Sequence, residues 1–199
     1  MITTYQTIVK ATEAEYKDKG SRFIAYAYPI TSLSDVKKHL DILKEEHHKA
    51  RHLCYAYRLG VDGMQFRAND DGEPSGSAGR PILGQIDSFG ITDVLIVVVR
   101  YFGGTLLGVP GLIHAYKEAS ARALSLAEVI EKNIEKTVWL KCDYPFLSEA
   151  IRIGKQHQAV VIEQDLQLDC KLAVKLPLET YQSCLDSWIK TRNIKIISE

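Results

Sequence analysis

The residue types that could do chemistry crowd into one stretch of the chain, from Asn69 to Gly108. Its first segment, Asn69-Asp-Asp-Gly-Glu-Pro-Ser-Gly-Ser-Ala-Gly-Arg80, brings together three carboxylates (Asp70, Asp71, Glu73), two hydroxyls (Ser75, Ser77) and the guanidinium of Arg80, just before Pro81. Main-chain N–H groups at a helix start, together with the helix dipole, attract phosphate or carboxylate. The small residues before Arg80 let such a group approach the backbone, so the segment reads as an anion cradle. Glycine-dependent turns with no ligand are the other reading of the same residues. The second segment, Arg100-Tyr-Phe-Gly-Gly-Thr-Leu-Leu-Gly108, follows an apolar run. Arg100 ends that run, where α/β sheets place functional side chains; alternatively it is a structural partner for one of the acidic loop residues.

Neither segment is a Walker A loop, which needs a Gly-Lys-Ser/Thr ending, and neither is a dinucleotide fingerprint. Asp70, Asp71 and Glu73 do not follow the calcium-loop spacing. They read as a divalent-cation ligand set, as a base, or as a solvated turn whose aspartate bonds its own backbone. His47 and His48 point about 100° apart on a helix and His52 lies past its end, so surface or interface histidines are expected rather than a zinc site. Ser75 and Ser77 lack a base identifiable by spacing, so no catalytic residue is assigned. No metal and no cofactor is expected.

The chain has 199 residues, 25 basic and 25 acidic, which argues against a broad electrostatic grip on nucleic acid. The four cysteines form no Cys-x-x-Cys pair, as expected of reduced, buried thiols. No apolar run has membrane-spanning length and the N-terminus lacks a secretory pattern. A cytoplasmic protein is the expectation.

The elements that must position these groups follow from hydrophobic period. Six uninterrupted apolar residues, Val94 to Val99, predict a strand covered on both faces. Before it come strands over 4–9 and 21–28, a helix opened by the Ser32/Asp35 capping pair, and a hairpin turning at Gly60 to Gly63. Pro81 fits the first turn of a helix that Gly90 ends, and residues 112–127 carry one apolar helical face. Nine of the thirteen glycines lie between Gly72 and Gly111, where the backbone must turn tightly or approach something closely. The charged run 128–136 reads as a linker or frayed helix end. It separates a first domain, 1–132, from a second, 137–199, whose strand-helix-strand-strand-helix-strand order is ferredoxin-like.

Lys19-Gly-Ser-Arg-Phe23, His48-Lys-Ala-Arg-His52, Asn69 to Pro81 and Val99 to Gly108 together resemble the YigZ/IMPACT family over essentially the whole chain. The resemblance implies an α+β protein: an N-terminal domain with the fold of domain 2 of ribosomal protein S-five, and a C-terminal ferredoxin-like domain similar to the last domain of the translocase elongation factor. Family members with a different N-terminal extension restrain a translation-initiation-factor kinase by competing for its activator. This chain has no room for that extension, so that partner is not expected to carry over.

Two functions stand side by side at this level. One is a cytosolic, non-catalytic regulator linked to translation that engages RNA, the ribosome or a protein partner through Arg22, His52, Asp70, Asp71, Glu73, Ser75, Ser77, Arg80, Arg100, Tyr101, Gly103 and Gly104. The other is an enzyme acting on a small phosphorylated or carboxylated substrate, with Arg80 and Arg100 clamping the anion. Both require the two guanidinium groups to converge at the rim of the central strand.

Overall fold

The computed structural model describes residues 2–167 and 169–198. It contains two compact units, Tyr5–Lys132 and a second made of Asn133–Glu199 with Met1–Thr4.

The first unit is built on a five-stranded sheet. Its strands are β2 (Thr12–Asp18), β3 (Ser21–Pro29), β4 (His52–Leu59), β5 (Gln65–Asn69) and β6 (Val94–Tyr101), in the order β2-β3-β6-β4-β5. β6 is the central strand, and its apolar run is buried on both faces as expected. The covering helices made the run legible, yet every ladder is antiparallel. Alternation along β6 sends Val94, Ile96 and Val98 to one core and Leu95, Val97 and Val99 to the other. Each fully buried side chain of this kind contributes roughly 1.5–3 kcal/mol.

Helix α1 (Leu33–Glu46) covers the second of these faces through Val36 and Leu43, and its Ser32/Asp35 capping box forms as predicted. Helices α2 (Gly79–Ser88) and α3 (Gly108–Ser125) cover the other face. β1 (Thr4–Ile8) pairs instead with β7 (Val129–Asn133) in a separate two-stranded sheet. The charged run 128–136, which spans the boundary between the two units, is therefore neither coil nor frayed helix but extended strand, with side chains that are mostly exposed. β2 was hidden for the same reason, because its charged residues suit a sheet edge.

The second unit carries β8 (Glu135–Asp143), α4 (Leu147–Gln156), β9 (Val160–Leu166), β10 (Asp169–Pro177), α5 (Leu178–Lys190) and β11 (Ile194–Ser198). The antiparallel sheet order β11-β8-β10-β9 is the ferredoxin-like arrangement, with Trp188 fully buried beneath the helices. Together the units make an α+β protein.

Candidate functional site

Strand alternation decides where the chemistry-bearing residues go. Arg100 follows Val98 onto the α2/α3 face of β6, in register with Phe23 on β3 and His52 on β4. Tyr101 and its β3 partner Arg22 fall on the opposite face. Residues adjacent in the sequence motif are thereby separated by the thickness of the sheet.

Arg100 is 6% exposed, and its Nη1 donates to Glu73 Oε1 at 2.6 Å. The Tyr116 hydroxyl, from α3, donates to the same oxygen at 2.8 Å. The guanidinium lies over the rings of Phe23 and Phe102, at 5.5 and 5.6 Å. Burial, with the nearby Cys54 and Glu73, pushes the Tyr116 hydroxyl well above the ordinary phenol range, so it stays a donor. Cys54 Sγ lies 3.0 Å from the Asp70 carbonyl, to which its thiol donates, and 3.3 Å from Tyr116 Oη. Arg100 is thus the structural partner of an acidic loop residue, the plainer of the two sequence readings.

The anion cradle exists, and the anion it holds is the protein's own. Asp70 Oδ2 accepts from the Gly76 N–H at 2.8 Å, and Oδ1 accepts from Ala78 and Gly79 at 3.0 and 2.8 Å. Ala78 and Gly79 begin α2, whose start has no side chain of its own to cap it. Asp70 supplies that cap from the preceding loop. Burial works to raise its pKa, but the amides of Gly76, Gly79 and Ala78 and the charge of Arg80 outweigh it and hold the carboxyl below the usual range. Gly79 is required here, since a Cβ would come within 2.5 Å of Asn69 N.

The other two carboxylates turn elsewhere. Asp71 Oδ2 accepts from the Leu53 N–H at 2.7 Å, while its carbonyl lies 2.8 Å from His52 Nδ1, which donates to it. Among the described residues no group of three His, Cys, Asp or Glu side chains could hold a metal ion. Ser77 is buried and donates to the Pro74 carbonyl at 2.6 Å, so its hydroxyl is occupied. Ser75 and Arg80 are exposed. The expected clamp of Arg80 and Arg100 is therefore not formed: one guanidinium is sealed against Glu73 and the other lies in solvent beside Asp70.

Arg22 is exposed and donates to Glu15 Oε1 at 2.7 Å. Tyr101 is half-buried; its hydroxyl lies 2.9 Å from His47 Nδ1, and the other ring nitrogen lies 2.9 Å from the Tyr26 hydroxyl. His47 is consequently half-buried, its ring held between two tyrosine hydroxyls, rather than a surface histidine. The second glycine loop is held by close backbone contact. A Cβ on Gly103 would come within 1.9 Å of the Gly20 carbonyl carbon, and the Gly103 N–H donates to Ser21 Oγ at 3.1 Å. Gly104, at φ +88°, faces open space. On either side of it the loop turns apolar side chains outward, with Phe102 44% and Leu106 83% exposed, joined by Val109 and Ile113 on α3.

Sequence reasoning missed Tyr116, Cys54 and Ser21 as partners, and it missed the outward set. Leu106 between glycines was the available signal, since a leucine there has no helical or strand period to bury it; Leu107 beside it packs on the core.

The Impact N-terminal domain matches residues 19–124, which include both glycine loops and the whole Asp70, Glu73 and Arg100 network. An IMPACT family member of Haemophilus influenzae is 36% identical over 172 residues, 85% of this chain and 83% of its own length. The IMPACT family member YigZ of Escherichia coli is 35% identical over 161 residues, 80% and 79% of the two chains. The crystal structure of a hypothetical protein superposes with a TM-score of 0.79 at 28% identity, covering 100% of this chain and 98% of its own. With its motifs, both relatives and the domain match agreeing over most of its length, the chain belongs to the IMPACT family.

Proposed function

We propose that this chain is a non-catalytic binding protein tied to translation, and that the second glycine loop with the start of α3 docks a protein partner. One observation carries the reading: Glu73 is bonded to Arg100 and Asp70 to the loop amides, while the adjacent loop presents Phe102, Leu106, Val109 and Ile113 to solvent. Clustered exposed apolar side chains mark interaction surfaces, and aromatic or aliphatic anchors dominate binding energy where they are desolvated. The Gly20–Gly103 contact brings the exposed Lys19 beside this loop, so a complementary partner has an apolar pocket with an acidic rim.

The link to translation rests on the family resemblance, which makes a ribosomal protein or translation factor the class of partner to seek. Direct RNA engagement by this loop is less well supported, because Arg100 is unavailable to phosphate. The enzymatic alternative needs a carboxylate held above its usual pKa and a free cation facing it. Asp70 is held below that range with both oxygens bonded to loop amides, and Arg100 is already paired, which leaves the exposed Arg80 without the second guanidinium of the clamp. Among the described residues no helix is long and apolar enough to cross a membrane.

The test is affinity capture with wild type, Phe102→Ser/Leu106→Ser and Arg80→Ala, with bound proteins identified by mass spectrometry. A translation factor or ribosomal protein held by wild type and lost from the double variant, at unchanged melting temperature, supports the reading. Equal retention by the double variant overturns it.

A further inference from the structure

In the second unit, β8 and β10 are the two inner strands of the sheet and run antiparallel, and their register sets Cys142 directly opposite Cys170. Both side chains belong to the core of that unit, Cys142 3% exposed and Cys170 fully buried, and both are free thiols. Directly opposed residues of an antiparallel ladder have Cα atoms about 4.5–5.5 Å apart, inside the span of about 4.4–6.8 Å that a disulfide bridges. Their Cβ atoms start about 4.5–5.5 Å apart, slightly wider than the roughly 3.5–4.5 Å of a relaxed bridge, so closure tightens the ladder locally and stores strain. Strained disulfides are the labile ones, made and reduced in turn. The other two cysteines are placed differently: Cys54 faces Val98 across β4 and β6, and Cys184 lies on α5.

The surroundings supply two further observations. Burial, with the adjacent Cys170 and Asp143, holds the Cys142 thiol above its ordinary pKa, so each thiol lies within the other's field. Cys142 also lines a polar cavity of about 190 Å³ with Lys141, Asp143, Asp169, Asn193 and Lys195, where β8 ends and β10 begins. A polar cavity of that size admits water, and hydrogen peroxide, little larger than water, takes the same path. A bulky alkylating reagent does not.

We propose that Cys142 and Cys170 are a peroxide-responsive pair that closes to a reversible disulfide across β8 and β10 in the folded protein. The Cys142 thiolate attacks one peroxide oxygen and the O–O bond breaks. The departing hydroxide takes up the proton that the thiol released and becomes water, and the sulfur is left as a sulfenic acid. The Cys170 sulfur then attacks the Cys142 sulfur, the S–O bond breaks, and the hydroxyl leaves with the Cys170 proton as a second water. Two thiols have thereby given two electrons to one peroxide, and a dithiol reductant reverses the bridge by exchange. Burial of the thiols makes the first step slow. The second has its partner already in place, so closure outruns further oxidation. The bridge fastens the inner strands at the end where β8 leaves the sheet, and by shortening the unfolded chain it stabilises the second unit. The pair shares no residue with the docking loop and stands or falls separately from it.

The experiment exposes the folded full chain to dilute hydrogen peroxide, removes the peroxide, blocks the remaining thiols with N-ethylmaleimide in urea, and maps the unreduced digest by mass spectrometry. The expected result is one disulfide-linked pair of peptides, carrying Cys142 and Cys170, that dithiothreitol abolishes, with Cys54 and Cys184 alkylated. The second unit of the oxidised chain should unfold at a higher urea midpoint than that of the reduced chain, and dithiothreitol should return it. Cys170→Ala, checked for unchanged melting temperature, should lose both the linked peptides and the midpoint shift. The mapping is made on wild type, so a variant that fails to fold leaves the test standing. All four cysteines alkylated after peroxide, a sulfinic acid at Cys142 with no bridge, a bridge to Cys54 or Cys184 instead, or a midpoint that does not rise overturns the proposal.

Discussion

Glu73 and Arg100, 27 residues apart in sequence, meet at 2.6 Å with their side chains 4% and 7% exposed. A pair so thoroughly desolvated is stable only while both members are present. Glu73→Ala or Arg100→Ala alone should cost about 3–5 kcal/mol, because each leaves a buried charge uncompensated. Glu73→Leu/Arg100→Met should cost less than either single change. Urea denaturation checks both statements, and single variants within about 1 kcal/mol of wild type would show that the pair is not a structural brace.

Asp70 makes stability depend on acid pH. Its folded pKa is lowered, so in the acid range the unfolded chain binds more protons at this residue than the folded one. Its contribution is full above the unfolded aspartate value of about 3.9 and is lost as pH falls through the lower folded value. Asp70→Asn should therefore flatten the acid limb of the stability profile, and Asp70→Ala should cost about 1–2 kcal/mol at neutral pH as a lost helix cap. An acid limb identical to wild type in Asp70→Asn would contradict this.

Two neighbouring glycines should respond differently to the same change. Gly104→Ala meets no atom within 4 Å and carries mainly the penalty of positive φ, about 1–2 kcal/mol. Gly103→Ala must displace the Gly20–Ser21 backbone and should be the more damaging by several-fold in unfolding free energy. Thermal melts of the two variants side by side decide it, and equal losses would mean that the loop is not held by that contact.

The cysteines should resist alkylation in the native protein. Burial pushes both the Cys54 and Cys184 thiols up to about 12, and all four cysteines are buried. At pH 8 such a thiol holds roughly a thousandfold less thiolate than free cysteine. Alkylation should be negligible until urea is added; rapid stoichiometric labelling of Cys54 in native protein would show that the Tyr116 network opens.

Much of the fold was legible because period 2 and period 3.6 are local properties. The apolar run of β6, the Ser32/Asp35 cap and the strand and helix order of the second unit could be read from short windows. β2 and β7 were not, since each is a charged strand whose identity comes from pairing with β3 and β1 rather than from its own pattern. At the site, the segment from Ser75 to Pro81 could be read as an anion cradle before a helix start. Nothing in the spacing could say that Asp70 would fold back to fill it, because tertiary chain path sets that distance. For Arg100, alternation could fix which face it took but not that Glu73 and Tyr116 would close over it. Leu106 is the converse case, an apolar side chain that composition assigns to a core and the glycine loop holds in water.

The account rests on the amide cradle being filled from within, and phosphate titration followed at the Gly76, Ala78 and Gly79 amides by NMR tests it most directly. The predicted result is no saturable shift in wild type, with Asp70 still holding all three N–H groups. Saturable phosphate shifts at those amides in wild type would show that the cradle is open to ligand and would contradict the account.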